Sequence, residues 1–411
     1  MPSLSDKLKS LGVKIGSQDL SPPRIQNPYT IESVVGGDIV HTPLGETYTV
    51  DSFYPPDYLH GNQRLMVNSP LEAIAAWAAD DRIRHLTMSE FAFLDTETTG
   101  LSGGTGTYAF LVGIARFEQG AFHISQFFMR DPSEEQALLS AIEHFLAPCR
   151  ALVTYNGKAF DMPLLSTRFV AQGWLRPFQD MVHIDLLHLA RRLWRDRLPS
   201  RTLGNLEIQI LGTSRSLEDV PGWMIPEIYF EYLRSGDARP LQGVFYHNAM
   251  DVLSLAALLN HCAWILADPL NGTVNNVTDL TALGKLYEVL GHQQVAADLY
   301  RYAIQLDSPQ STQLEAAIRL AAMYKKQDDY YHAIPLWEKL ADLHHIEAHV
   351  ELAKYYEHRL RDYPEAARWT QGAITHVLSS NLSGYERNQW LDKLEYRLER
   401  ITRKINRKNR K

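Results

Sequence analysis

Asp95 and Glu97 stand two residues apart in the run Phe91–Gly100, FAFLDTETTG. The apolar Phe91-Ala92-Phe93-Leu94 suits a strand buried on both faces. Side chains alternate along a strand, so both carboxylates project to one side. Two like charges held together are unfavourable without a counter-charge. A divalent cation supplies one, and hard oxygen ligands suit Mg2+ or Mn2+. Taken alone, such a pair is also what a strand end breaking into the polar turn Thr98-Thr99-Gly100 looks like. Asp161 closes a second stretch, YNGKAFD, where a strand ends, Gly157 turns the chain and Asp161 opens a helix. An Asp in that position also serves as a cap. Asn156 is placed either to bond a substrate or to hold the loop. The third stretch is YHNAMD, Tyr246–Asp251. His247 and Asp251 are four apart and share one helical face. Alone they read as a surface contact; beside three other carboxylates they read as a base next to a metal ligand.

Particular elements must position these residues. Strands are predicted at Phe91–Glu97, Tyr108–Glu118 and Phe122–Met129, the last two joined through Gly120, with a turn over Gly100–Gly106. A helix follows over Glu134–Leu146, its first turn acidic as the helix dipole favours. A fourth strand, Ala151–Tyr155, leads into a helix over Phe160–Gln172. A fifth, Val182–Asp185, leads into a helix through Trp194. The order β-β-β-α-β-α-β-α predicts an α/β fold, a mixed five-stranded sheet with flanking helices, as in ribonuclease-H-like proteins. The fourth strand then lies beside the first and brings Asp161 near Asp95.

At 411 residues the chain is too long for one ordinary core, so two or three domains are expected. The expected layout is an arm with a small β-hairpin unit and a helix over 1–87, the α/β domain over 88–268, and helical repeats over 269–411. Hydrophobic content of 45% with 22% charged residues describes a globular chain. A net charge of -7 excludes overall basic attraction to nucleic acid, so any polyanion must be met by local patches. One such patch is ARRLWRDRLPSR, where Arg195 and Arg201 are candidates for phosphate contact; a solvated helix face is the alternative. Two cysteines, Cys149 and Cys262, give neither a disulfide framework nor a zinc spacing. Reduced thiols and the lack of an apolar leader point to the cytoplasm. No stretch of about 18 apolar residues is read as a membrane span.

Past Gly272 a pattern repeats. Leu283, Leu320 and Leu352 recur at spacings of 37 and 32 residues, each followed by Tyr287, Tyr324 or Tyr356 and then by Ala296, Ala333 or Ala366. These intervals are near the 34 of a tetratricopeptide repeat. The array resembles about three such units, which implies a protein partner on a concave face or a structural cap. The final RITRKINRKNRK is strongly basic and reads as a phosphate contact or a solvated end.

DTETTG, YNGKAFD and YHNAMD together resemble the three motifs of the DEDD superfamily of 3′-5′ exonucleases. FLDTETTGLSGGTGTYAFLVGIARF with YNGKAFDMPLL is similar, more narrowly, to the YprB-like ribonuclease-H-like exonuclease group. The resemblance implies that Asp95, Glu97, Asp161 and Asp251 hold two Mg2+ or Mn2+ ions and that a free 3′ end of single-stranded RNA or DNA is cleaved. In one branch of the superfamily a Tyr stands four residues before the last Asp; in the other a His stands five before it. Here His247 sits at the tyrosine spacing and Tyr246 at the histidine spacing. His247 is the expected general base because imidazole titrates near neutrality. Thr98 and Asn156 are further substrate-contact candidates. The alternative reading is a catalytically weak nuclease fold serving as a repeat scaffold for partner proteins.

Overall fold

The computed structural model describes residues 28–55, 57–100, 106–175 and 178–408. The expected N-terminal arm up to residue 27, and most of the turn over Gly100–Gly106, lie outside them. Among the described residues nine strands form: β1 (Asp38–Thr42), β2 (Gly45–Tyr54), β3 (Leu59–His60), β4 (Gln63–Arg64), β5 (Phe91–Thr98), β6 (Ala109–Glu118), β7 (Ala121–Phe128), β8 (Ala151–Thr154) and β9 (Val182–Asp185). Seven of them make one mixed sheet in the order β1-β2-β7-β6-β5-β8-β9, while β3 and β4 pair as a separate ribbon. β5, β6 and β7 are an antiparallel meander, and β8 and β9 run parallel to β5.

The ribonuclease-H-like sheet is therefore present, with a correction to its extent. The β1–β2 hairpin is not a separate unit. β2 pairs antiparallel with β7 from Tyr48↔Phe128 to Tyr54↔Phe122 and widens five strands to seven. The edge of β7 would otherwise leave a row of backbone donors and acceptors unpaired. Tyr48 enters the core with the hairpin.

Helices α1 (Ile31–Val34), α2 (Glu72–Ala78), α3 (Glu135–Leu146), α4 (Asp161–Ala171), α5 (Leu186–Trp194), α6 (Leu203–Leu206), α7 (Ile225–Ser235) and α8 (Leu241–Ala267) accompany these strands. α6 continues into a wider π turn over Glu207–Leu211. Leu138, Leu139 and Ile142 of α3 share a core with Leu152 of β8 and Leu165 and Phe169 of α4. Phe110 of β6 stacks on Tyr229 of α7 at 4.0 Å, and the Tyr229 hydroxyl donates to the Met129 carbonyl at 2.9 Å. By length and composition α8 is apolar enough to cross a membrane, which corrects the reading that no stretch is. Yet 67% of its most apolar window is buried inside the protein. A helix wrapped by core is apolar on every side for that reason.

The chain divides into two compact units, but not into consecutive segments. Of the described residues, those up to His188 join Thr202–Ala263, and Leu189–Arg201 join those from Trp264 onward. Within the second unit, Arg197 pairs with Asp279 at 2.8 Å and Arg192 donates to the Lys285 carbonyl at 2.6 Å. The arginine-rich stretch is thus tied to the helices that follow Gly272.

Those helices are α9 (Val277–Val289), α10 (Gln293–Gln305), α11 (Gln310–Lys326), α12 (Tyr330–Asp342), α13 (Ile346–Tyr355), α14 (Tyr363–Ser379) and α15 (Gly384–Lys408), each packed on the next. The recurring Leu283, Leu320 and Leu352 are all buried, and so are Ala296, Ala333 and Ala366. Small residues let paired helices approach closely. Gly284 shows the same need, since a Cβ there would lie 2.4 Å from the Tyr300 ring. Along α15, Arg397 and, from the basic C-terminal stretch, Arg400 and Lys404 converge on the buried Glu357 carboxylate at 2.8, 2.7 and 2.8 Å. Those three cations are engaged internally rather than presented to phosphate. Replacing Glu357 with Ala strands them, and breaking a buried pair costs about 3 kcal/mol. The expected outcome is a markedly lower urea midpoint for the helical unit, followed by helical circular dichroism.

Candidate functional site

Asp95 and Glu97 lie within β5, and the register slips just after Glu97. Asp95 stands opposite Gly113 of β6. A Cβ on Gly113 would fall 2.1 Å from Asn248 Oδ1, so only glycine leaves a seat for that side chain. Asn248 is fully buried there. Its Nδ2 donates to the Asp95 carboxylate at 3.0 Å, and its Oδ1 accepts from Gln126 at 3.0 Å. Gln126 also donates to the Phe245 carbonyl at 2.8 Å. These bonds dock α8 on the centre of the sheet and carry His247 and Asp251 in with it.

The loop after β8 aims the third carboxylate. Asn156 takes a left-handed φ of 64°. A Cβ on Gly157 would meet Thr154 Oγ1 at 2.4 Å. The buried Asp185 accepts from the Asn156 and Lys158 amides at 2.8 and 3.1 Å. The chain then enters α4 at Asp161, whose carboxylate accepts from the Thr96 hydroxyl. The Asn156 backbone holds the loop, one of the two roles expected of that residue. Thr98 donates to the Gly100 carbonyl at 2.9 Å. A cleft of about 540 Å³ is lined by Thr96, Glu97, Thr98, Phe160, Asp161 and Gly222, among others. Gly222 also faces His247, since a Cβ there would lie 4.0 Å from Nε2.

The cluster is charged against its own interest. Burial, then the neighbouring Asp251, Glu97 and Asp161, push Asp95 well above the usual carboxylate range. Burial with Asp251 and Asp161 pushes Glu97 up to about 8. Burial raises Asp161 to about 6 against the Thr96 hydrogen bond, which favours the ionised form. Asp251 is raised by burial and held back chiefly by Arg215.

Arg215 was not expected. Its Nε and Nη2 donate to the Glu207 carboxylate at 2.8 and 2.6 Å, and Nη2 also contacts Asp251. Arg215 Nη1 lies 3.1 Å from His247 Nδ1. His247 Nδ1 is 2.8 Å from Asp219, and Nε2 is 3.6 Å from Asp251. The Tyr246 hydroxyl accepts instead from the Ser216 amide at 3.0 Å. α8 begins at Leu241, so both residues are already helical and point apart.

Asp95, Glu97, Asp161, Asp251 and His247 thus come together from three motifs. Arg195 and Arg201 belong to the helical unit. There Arg195 pairs with Asp196 at 3.4 Å, and Arg201 donates to the Leu198 carbonyl at 2.8 Å. Asn248 carried a usable signal, three residues before Asp251 on the same helical face. Arg215 and Asp219 lie in a stretch without periodicity or motif. Among the described residues no three His, Cys, Asp or Glu side chains already converge on one ion position. The donor chemistry nevertheless suits a hard cation: four carboxyl groups in one neighbourhood, all oxygen donors.

A mixed sheet with a carboxylate cluster at its centre is the architecture of a ribonuclease-H-type nuclease domain, and residues 92–263 match the RNase_H superfamily. The protein of Bacillus subtilis (strain 168) named "Uncharacterized protein YprB" is 32% identical over 364 residues, 85% of this chain and 84% of that protein. The chain belongs to the YprB family, with its ribonuclease-H-like domain. Such a domain implies nucleic-acid binding and processing, and nucleases of this kind generally use divalent metals.

The raised carboxyls set a pH dependence. Asp95 and Glu97 bind protons more readily folded than unfolded, so stability falls as pH rises from the ordinary carboxylate range, about 4, toward about 8. In chelator, the melting temperature should drop between pH 5 and pH 8, and Glu97→Gln should flatten that slope. A flat wild-type profile would contradict the electrostatic picture.

Proposed function

We propose that this protein is a metal-dependent 3′-5′ exonuclease acting on single-stranded nucleic acid. The observation that carries this reading is the gathering of Asp95, Glu97, Asp161 and Asp251 in one neighbourhood, with Glu97 and Asp161 lining the cleft and His247 beside Asp251. These four carboxylates would hold two Mg2+ or Mn2+ ions, which when bound supply an activated water and neutralise the leaving oxygen of a phosphodiester.

The chain's own groups do the rest. Asn248 fixes Asp95, and Thr96 fixes Asp161, so two of the four ligands are oriented by neutral donors. His247 turns Nε2 toward Asp251 and the Gly222 wall, where it accepts the proton of the attacking water. Asp219 accepts from the other ring nitrogen, Nδ1, which then carries the ring proton and leaves Nε2 free to accept one, with Arg215 alongside. Phe160 lines the cleft immediately before Asp161 and keeps 56% of its surface exposed. An exposed ring there offers an unpaired base a stacking surface, which supports a single-stranded substrate. The helical unit, with its recurring Leu and Ala positions, is proposed as a tetratricopeptide-like platform for a partner protein.

Full-length protein with 3′-end-labelled and 5′-end-labelled oligonucleotides, Mg2+ or Mn2+, and free or blocked 3′ ends tests polarity, cofactor and polymer together. Asp95→Asn should lower cleavage by at least about 100-fold, since even outer-shell changes at metal sites cost 10- to 100-fold. Cleavage that persists at wild-type rate would remove the proposed centre.

His247→Ala should cost about 10²- to 10⁴-fold and abolish the acidic limb of the rate–pH profile. Tyr246→Phe should leave that limb in place, with a small change in rate. The reverse pattern would transfer the base role to Tyr246.

A further inference from the structure

Arg215 places a permanent positive charge inside a cluster whose carboxylates suit metal cations. Each guanidinium nitrogen has a protein partner: Nε and Nη2 at Glu207, Nη2 also at Asp251, Nη1 at His247 and, 3.6 Å away, at Asp219. No nitrogen is left to clamp a phosphate. The arginine is also tethered. Glu207 is only 2% exposed, and it accepts a second hydrogen bond from Ser254 at 2.6 Å. Ser254 Oγ lies 2.8 Å from His60 Nε2, in β3.

The β3–β4 ribbon clamps the same turn through its backbone. The Asn62 amide donates to the Leu211 carbonyl at 2.7 Å. Gly61 and Gly212 both have positive φ, 62° and 68°. A Cβ on Gly61 would lie 2.2 Å from the Leu211 carbonyl oxygen, and one on Gly212 2.2 Å from the Asn62 side chain. A segment ahead of every motif thus locks the turn that carries Glu207. Swinging Arg215 away would leave the buried Glu207 charge without its main partner.

We infer that Arg215 is a built-in counter-cation that holds the carboxylate site together without metal and competes with the divalent ion for Asp251. The inference rests on the metal-dependent reading above. A positive charge within a few ångströms opposes a second cation even at a moderate effective dielectric. The metal's hold at Asp251 is accordingly weaker than four carboxylates alone would give.

Mn2+ binding to the full chain, followed by electron paramagnetic resonance of the free ion, tests this without measuring cleavage. Arg215→Gln should bind Mn2+ at least about tenfold more tightly than wild type, while its melting temperature in chelator falls by several degrees. Arg215→Lys keeps the charge and should stay within about threefold of wild-type affinity. Glu207→Gln frees the Arg215 charge from its partner and should shift affinity the other way, toward weaker binding. Unchanged or weaker Mn2+ binding by Arg215→Gln overturns the inference. If that variant does not fold, Glu207→Gln decides, and tighter or unchanged binding there overturns it. Wild-type protein that binds no Mn2+ would overturn the metal-dependent reading and this inference with it.

Discussion

Mutual repulsion among four partly buried carboxylates is the constraint around which the sheet unit is arranged. Burial raises the proton affinity of all four; Asp251 and Asp161 raise that of Asp95 and Glu97 further, Asp185 that of Asp161, and Glu207 that of Asp251. A fold that ends there without compensation would separate them. Instead three of the four are met by something specific. Asn248 donates to Asp95, Thr96 to Asp161 and Arg215 to Asp251. Glu97 has no such donor among the hydrogen bonds of the described residues, and it is pushed up to about 8.

The Asp95–Asn248 contact has a second consequence. It needs a bare backbone at Gly113, the residue paired with Asp95 across the sheet. One missing Cβ therefore determines how closely α8 approaches β5 and β6. Gln126 completes the seat from β7. Because His247 and Asp251 ride on the same helix, their placement follows from how one amide, next to His247 and three residues before Asp251, is buried. Packing and chemistry share these side chains, so a change made for one is felt by the other.

Elsewhere, charge is used for cohesion. Glu357 gathers Arg397, Arg400 and Lys404 in the helical unit. Glu135 and Arg168 form a buried pair in the sheet unit, with Arg168 Nη2 donating at 2.6 Å. A buried carboxylate that would be costly alone is tolerable when cations surround it. Arg215 and Glu207 follow the same rule, but they do so at the edge of the site, where the pair also bears on Asp251.

The motifs that depend on local geometry were legible in the amino-acid order. Period-two alternation put Asp95 and Glu97 on one side of β5, a strand–turn–helix junction placed Asp161, and a spacing of four aligned His247 with Asp251. The ribonuclease-H-like sheet was legible for the same reason, since each strand announces itself by composition. Tertiary structure decided the rest, because it turns on contacts without a local period. The β1–β2 hairpin joins β7 at an edge that no spacing reveals. Asn248 meets Asp95 across 153 residues, and His60 meets Ser254 across 194. Arg215 sits in an aperiodic stretch and is selected only by the charges that folding brings around it. Local chemistry is written in neighbouring residues; the counter-charge that makes it tolerable is supplied by whichever distant side chain the packing delivers.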